Sequence, residues 1–139
     1  MVRGASEMKI YLAGPMRGIP NFNFPAFGRA AKNLRALGYE VFSPAERDNL
    51  HYGTDIAADN VMGDEAQAAR DHGFSLRDAL ASDTEFICRH AEGIALLPDW
   101  ERSKGASAEK ALAEALDLRV VYIDKDGHIM ALRDTHSPQ

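Results

Sequence analysis

The hydrophobic positions of the chain alternate between short continuous runs and segments with helical spacing. Four apolar runs predict strands, at residues 8–13, 39–42, 93–98 and 120–123. Apolar residues three and four positions apart predict helices, at residues 24–37, 76–88 and 105–118. A turn at residues 125–128 leads into one more apolar run, which predicts a fifth strand at residues 129–132. Residues 49–73 follow neither pattern and predict a loop with one short helix.

This alternation of strands and helices predicts an α/β domain with a mostly parallel sheet covered by helices on both faces. The run at residues 93–98 is apolar at successive positions, so we expect it in the centre of the sheet. Ligands of such folds bind at the carboxyl ends of the strands. The loops at residues 14–18 and 98–105 each follow a strand, and we therefore expect them to form one pocket.

Length and composition indicate one globular domain. The 139 residues are 45% hydrophobic and 27% charged, which excludes a mainly disordered chain. We assign the domain to residues 8–134, with residues 1–7 as a flexible leader and 135–139 as a frayed tail. The net charge of −5 disfavours a polymeric nucleic acid as partner, because a protein needs an excess of Lys and Arg to bind a phosphate backbone. A small anionic ligand is still compatible with this charge, because a few basic residues can gather around one phosphate.

The single cysteine and the lengths of the apolar runs bear on the compartment of the protein and on its ability to bind metal. Cys88 is the only cysteine, so an internal disulfide is excluded, and we expect a reducing, cytoplasmic compartment. Cys88 and His90 lack the further ligands that a zinc site needs. No apolar run approaches the roughly 20 residues of a membrane span.

The first loop offers a candidate anion site. Gly14 and Gly18 permit close backbone approach, and Arg17 supplies a fork of donors for a phosphate or carboxylate. The spacing matches neither the dinucleotide fingerprint nor the phosphate loop of nucleoside triphosphatases. A tight turn with a solvated arginine is the alternative. Asn23 and Phe24 form either a substrate rim or a polar start to the next helix.

The second loop and its helix offer further candidates. Ser103 or Ser107 can cap the helix, whose free N–H groups attract anions. Glu109 lies about one turn into this helix, either in the site or as a surface carboxylate. Trp100 is suited to packing or to stacking on a base.

A paired-carboxylate site would need one more acid. Asp83 occupies an otherwise apolar helical face, either at its exposed edge or beside Glu109, where the two could divide nucleophilic and proton-transfer work. Tyr11, in the first strand, is either buried packing or a phenol directed at the carboxylates.

These residues resemble a known family. Residues 9–18, KIYLAGPMRG, and residues 95–109, ALLPDWERSKGASAE, are similar to the two signature segments of the nucleoside 2-deoxyribosyltransferase superfamily, in its small phage and bacterial branch. The resemblance implies a flavodoxin-like, Rossmann-like three-layer sandwich. It also implies cleavage of the N-glycosidic bond of a 2′-deoxynucleoside or its 5′-monophosphate, by hydrolysis or by deoxyribosyl transfer.

The resemblance also implies residue roles. Glu109 matches the nucleophile, Asp83 the aspartate that positions or protonates the base, and Tyr11 the tyrosine that holds the nucleophile. The residues that match the phosphate grip are Gly14, Arg17, Gly18 and Ser103, with Ser107 as a further candidate. We extend the expected substrate contacts to Met16, Asn23, Phe24, Asp99, Trp100 and Gly105.

The expected partner is a small nucleoside or nucleotide, with no cofactor, metal, polymeric nucleic acid or membrane. The resemblance implies a homodimer or larger homo-oligomer, in the cytoplasm or, for a phage protein, the host cytoplasm. The alternative is a nucleotide-binding sensor or adaptor without turnover. It is motivated by residues 107–111, SAEKA, which replace the family's Gly-x-Glu-x-Gly around the nucleophile, and by the insertion at residues 49–73.

Overall fold

The structure, a computed structural model, describes residues 8–52 and 60–130 of the chain. The strands are β1 (Lys9–Ala13), β2 (Glu40–Phe42), β3 (Gly93–Leu96) and β4 (Arg119–Tyr122). The α-helices are α1 (Phe24–Ala36), α2 (Pro44–Tyr52), α3 (Glu65–His72), α4 (Leu76–Arg89) and α5 (Lys104–Ala115). Single-turn 3-10 helices cover Pro20–Asn23 and Trp100–Arg102.

The four strands form one sheet in the order β2-β1-β3-β4, and every neighbouring pair is parallel. Tyr11 of the central strand β1 lies in register with Phe42 on one side and Ile94 on the other. Every residue of β3 is buried, as its continuous apolar run predicts. The α/β class and the central place of β3 are confirmed, and the architecture is that of a flavodoxin-like three-layer fold.

Alternation along β1 separates the two faces of the sheet. Ile10 and Leu12 point to the face covered by α1, where they join a buried cluster that includes Phe27. Tyr11 and Ala13 point to the opposite face, in a cluster with buried residues of α4 and α5. Tyr11 therefore faces the helices that carry both candidate carboxylates.

The predicted fifth strand is represented by one antiparallel bridge between Ile123 and Ile129. The backbone N–H of Met130 also donates to the carbonyl of Tyr122, at 2.9 Å. Residues 131 and 132 lie outside the described residues, so the described sheet has four strands.

The segment between β2 and α4 contains more helix than its pattern predicts. Helix α3 corresponds to the one short helix expected in residues 49–73, and Asp64 caps it by accepting from the backbone N–H groups of Ala66 and Gln67. Helix α2 was not predicted. Its sequence, PAERDNLHY, has only two aliphatic residues, of which Leu50 is 89% exposed, so no apolar stripe marks it.

Residues 1–7, 53–59 and 131–139, which include the predicted leader and tail, lie outside the described residues. Within residues 8–52 and 60–130, no helix combines the length and the apolar character needed to cross a bilayer.

Candidate active site

The two loops singled out by the sequence lie against each other where β1 and β3 end. The backbone N–H of Leu97 donates to the carbonyl of Ala13, at 2.8 Å. A Cβ on Gly14 would lie only 2.7 Å from Leu97 Cβ, so the first loop has no space for a side chain at this position. Gly14 and Gly105, from the two loops, line the same cavity.

Three candidate catalytic side chains line this cavity. The Tyr11 hydroxyl donates to Glu109 Oε2 at 2.8 Å, and both side chains are buried. Asp83, also buried, lines the same cavity. The cavity therefore brings together a phenol and two carboxyl groups from elements that are far apart in the sequence.

Helical spacing explains why the two acids point inward. On α4, Asp83 shares the buried face with Ala79 and Ile87, at four-residue steps. On α5, Glu109 is buried together with Ala106 and Ala113, at three- and four-residue steps. Each acid thus occupies a position that a hydrophobic residue would ordinarily take.

Burial changes how these groups ionise. Desolvation, and then the negative charge of Asp83, raise the pKa of Glu109 to about 8, while the hydrogen bond from Tyr11 opposes this. Desolvation raises the pKa of Asp83 to about 6, against the lowering effects of Arg47 and Tyr11. Burial and the two neighbouring carboxylates also raise the pKa of the Tyr11 hydroxyl, which keeps it a donor. At neutral pH Asp83 and Glu109 therefore share about one proton.

Sequence reasoning missed two charged residues of the cavity, Arg47 and Asp48 of α2. Arg47 Nη2 lies 2.7 Å from Asp48 Oδ1 and 3.6 Å from Asp83 Oδ1. Burial raises the pKa of Asp48 to about 7, although Arg47 lowers it. No periodic signal marks these residues, because α2 is polar on nearly all sides.

Aromatic and aliphatic side chains form the rest of the cavity wall. Phe22 and Phe74 lie with ring centroids 6.3 Å apart, and both line the cavity with Met16. Leu76 and Leu80 of α4 contribute further apolar surface. The cavity thus combines an apolar wall, suited to a flat heterocycle, with the buried acids.

The predicted substrate residues divide into two groups. Those that line the cavity are Gly14, Met16, Arg17, Ser103 and Gly105. Those that lie outside its described lining are Gly18, Asn23, Phe24, Asp99, Trp100 and Ser107.

The residues outside the lining have structural contacts of their own. Asn23 Nδ2 donates to the Pro15 carbonyl at 3.0 Å and does not cap α1. Trp100 packs on Tyr122 and lies under the Lys110 ammonium, and its carbonyl accepts from the Ser107 hydroxyl. Asn23 and Asp99 line a separate depression, whereas Phe24 packs beside Phe22.

The first loop is held by the segment before α3. The N–H of Gly18 donates to the Gly63 carbonyl at 2.8 Å, and a Cβ on Gly63 would fall 2.2 Å from the Ile19 carbonyl oxygen. At the cavity mouth, Arg17 Nη1 lies 3.2 Å from Glu65 Oε1, and both side chains are partly exposed. Ser103 Oγ accepts from the Ala106 N–H at 3.1 Å, which caps α5 at the cavity.

The raised pKa of Glu109 predicts a pH-dependent effect of Glu109→Gln on stability. The folded state binds an extra proton between the unfolded pKa and about 8, so this group's stabilising contribution is complete at low pH and is lost as pH rises through that window. Gln matches the neutral acid in shape and cannot ionise. We expect equal melting temperatures at pH 5 and a gain of about 5 °C or more for the variant at pH 9.

Differential scanning fluorimetry at both pH values checks this expectation. Glu114→Gln, on the exposed side of the same helix, is the matched control and should show no such gain. A melting-temperature difference between Glu109→Gln and wild type that is the same at pH 5 and pH 9 would contradict the assignment.

Among the residues that the structure describes, no group of three or more His, Cys, Asp or Glu side chains is arranged to hold a metal ion.

A comparison with curated proteins gives no match to this chain. The family model described as "Domain of unknown function (DUF4406)" matches residues 8–122, which includes all four strands and the whole candidate site. The chain therefore belongs to the DUF4406 family.

Proposed function

We propose that this protein cleaves the N-glycosidic bond of a 2′-deoxynucleoside or its 5′-monophosphate, with Glu109 as the nucleophile. The observation that carries the proposal is the buried hydrogen bond from Tyr11 to Glu109, in a cavity that also contains Asp83. The resemblance of the two loop segments to the nucleoside 2-deoxyribosyltransferase superfamily supports the same chemistry.

In the first step, the bond between C1′ and the base nitrogen breaks, and its electron pair leaves with the base. Positive charge develops at C1′, and Glu109 forms an ester bond to that carbon. Asp83 gives its proton to the departing base. In the second step, Asp83 accepts a proton from water or from a second base, which attacks C1′ and releases Glu109. Water completes a hydrolysis, and a base completes a transfer.

Tyr11 prepares Glu109 for this attack. Its hydroxyl donates to one carboxylate oxygen, which favours the ionised form and fixes the orientation of the carboxylate. The reactive form has its proton on Asp83 and its negative charge on Glu109. Positive charge at C1′ stabilises that arrangement, so the chemistry itself draws the shared proton toward Asp83.

The remaining lining suits the two ends of a nucleotide. The Phe22 and Phe74 rings offer flat apolar surface to a base. Arg17, Lys104 and the capped start of α5 lie around the same cavity and offer positive charge to a 5′-phosphate. Arg17 favours a monophosphate over a neutral nucleoside for this reason.

Arg17→Gln should discriminate between these substrates. We expect KM for deoxynucleoside 5′-monophosphates to rise about tenfold, because one charge-assisted contact is lost, while kcat/KM for the unphosphorylated deoxynucleosides stays unchanged. Steady-state base release with matched pairs of substrates measures both values. Glu65→Gln is the control that removes the partner of Arg17 and keeps the cation. Equal losses for both substrate classes would place Arg17 outside phosphate binding.

The function itself is tested by incubating the wild-type protein with each deoxynucleotide and deoxynucleoside and following free base by chromatography. Addition of a second base distinguishes transfer from hydrolysis. Saturable nucleotide binding without base release would instead identify a sensor or adaptor on this fold.

A further inference from the structure

The proposed mechanism leaves two charged residues of the cavity without a role, the partly buried Arg47 and the buried Asp48 of α2. We propose that Arg47, shared between Asp48 and Asp83, is a positioning residue that decides whether Asp83 carries the proton that the leaving base needs. This inference rests on the proposed function and adds to it how the protonation of Asp83 is controlled. Neither residue needs to touch the substrate.

The contacts make Arg47 a shared cation. One nitrogen, Nη2, faces Asp48 Oδ1 at 2.7 Å and Asp83 Oδ1 at 3.6 Å. The three side chains are 17%, 6% and 8% exposed, so solvent screens these interactions weakly. The arginine is therefore close enough to both carboxylates for each to compete for its charge.

No hydrogen bond assigns Arg47 to one of the two carboxylates. Arg47 Nη2, Asp48 Oδ1 and Asp83 Oδ1 are all buried, and none has a hydrogen-bond partner among the described residues. The attraction therefore depends on distance and on which carboxyl is ionised. When Asp48 is neutral, the charge of Arg47 acts on Asp83 alone.

The cavity contains more acids than nearby cations, so the way in which Arg47 is shared affects which acid is ionised. Asp48, Asp83 and Glu109 are three buried acids in one cavity. The other cations in the described lining, Arg17 and Lys104, are exposed. One partly buried cation cannot neutralise three carboxylates, so the cavity keeps protons at neutral pH, and the position of Arg47 determines where they reside.

Four groups face Asp83 from the surrounding elements. Arg47 of α2 and the hydroxyl of Tyr11 on β1 favour its ionised form, while burial opposes it. Asp83 and Glu109 of α5 repel each other, as do Asp83 and Asp48. Arg47 is the one cation of this set, and its attraction is divided between Asp83 and Asp48.

Two variants should therefore act in opposite directions. Asp48→Asn leaves Arg47 to Asp83, so Asp83 should ionise at a pH about one unit lower. Arg47→Gln removes the cation, so Asp83 should hold its proton to a pH about one unit higher. Glu46→Gln is the matched control, because Glu46 precedes Arg47 on α2 but pairs with Arg35 on the exposed side.

The first measurement is the titration of the aspartate carboxyl groups by NMR, in ligand-free protein with 13C-labelled aspartate. The second is the pH profile of kcat/KM for base release. The lower apparent pKa of the Asp83–Glu109 pair should fall in Asp48→Asn and rise in Arg47→Gln. In Asp48→Asn the maximum of kcat/KM should also fall about tenfold, since fewer molecules carry the proton on Asp83.

The outcomes separate this inference from the proposed function. Shifts in opposite directions, with none in Glu46→Gln, support the shared cation. Unchanged values, or shifts in the same direction, overturn it even if the wild-type protein releases base. Absence of base release by the wild-type protein rejects the proposed function, whatever the titration gives. If Arg47→Gln does not fold, the direction of the Asp48→Asn shift alone decides.

Discussion

Glu109→Gln should reduce the rate of base release at least about a thousandfold, because a neutral amide neither stabilises positive charge at C1′ nor forms an ester with it. The substitution preserves shape, and the amide oxygen can still accept the hydrogen bond from Tyr11. The loss therefore reports chemistry and not collapse of the cavity. Release of base in single-turnover experiments measures it over the full range.

Two further measurements sharpen this result. Glu114→Gln, also on α5 but exposed, should retain wild-type activity. Acid quenching of the wild-type reaction, followed by mass spectrometry, should find the sugar attached to the peptide that contains Glu109 and not in the Gln variant. Equal traces of base from wild type and Glu109→Gln would contradict the enzymatic assignment.

Asp83→Asn should have the second largest effect, a loss of about a hundredfold or more in base release, which is the range for removal of a general acid. The asparagine cannot deliver a proton to the departing base. It also removes a buried charge that repels Glu109, so the pKa of Glu109 should fall from about 8. Kinetics at several pH values separate these two consequences.

The choice of substrate provides the control for Asp83. A deoxynucleotide with an N7-methylated purine carries a positive charge on its base, which leaves without accepting a proton. In a single turnover, Asp83→Asn should release the base of this substrate nearly as fast as the wild-type protein does, whereas Glu109→Gln should not. An equally large loss on both kinds of base would assign Asp83 to positioning and not to proton transfer.

The strongly patterned elements were predictable from the sequence. Residues 24–37 and 76–88 show a clear helical stripe, and the corresponding helices end within one residue of the predicted bounds. The fully apolar run at the third strand predicted its central place, since a strand covered on both faces has no polar side. Helix α2 lacked any such signal: it begins with proline after β2, and its charged residues obscure the side that faces the cavity.

Part of the candidate site was likewise predictable from the sequence, and part was not. The juxtaposition of the two loops followed from parallel topology alone, because adjacent parallel strands place their carboxyl ends at one edge. The lining by Gly14, Arg17 and Gly105 agrees with that expectation. Trp100 and Asp99 follow the same strand and yet lie outside the described lining, since the loop turns at Asp99, where φ is +68°, and directs Trp100 toward Tyr122.

The sequence by itself determined the α/β class, the order of its main elements and the elements that carry Tyr11, Asp83 and Glu109, because spacing and alternation are local properties of the chain. Only the tertiary structure decided that Tyr11 donates to Glu109 and that Arg47 lies between Asp48 and Asp83. Burial and distance set the pKa of each acid, and both arise when residues far apart in sequence pack together. The ionisation that the proposed chemistry requires is therefore a property of the folded cavity.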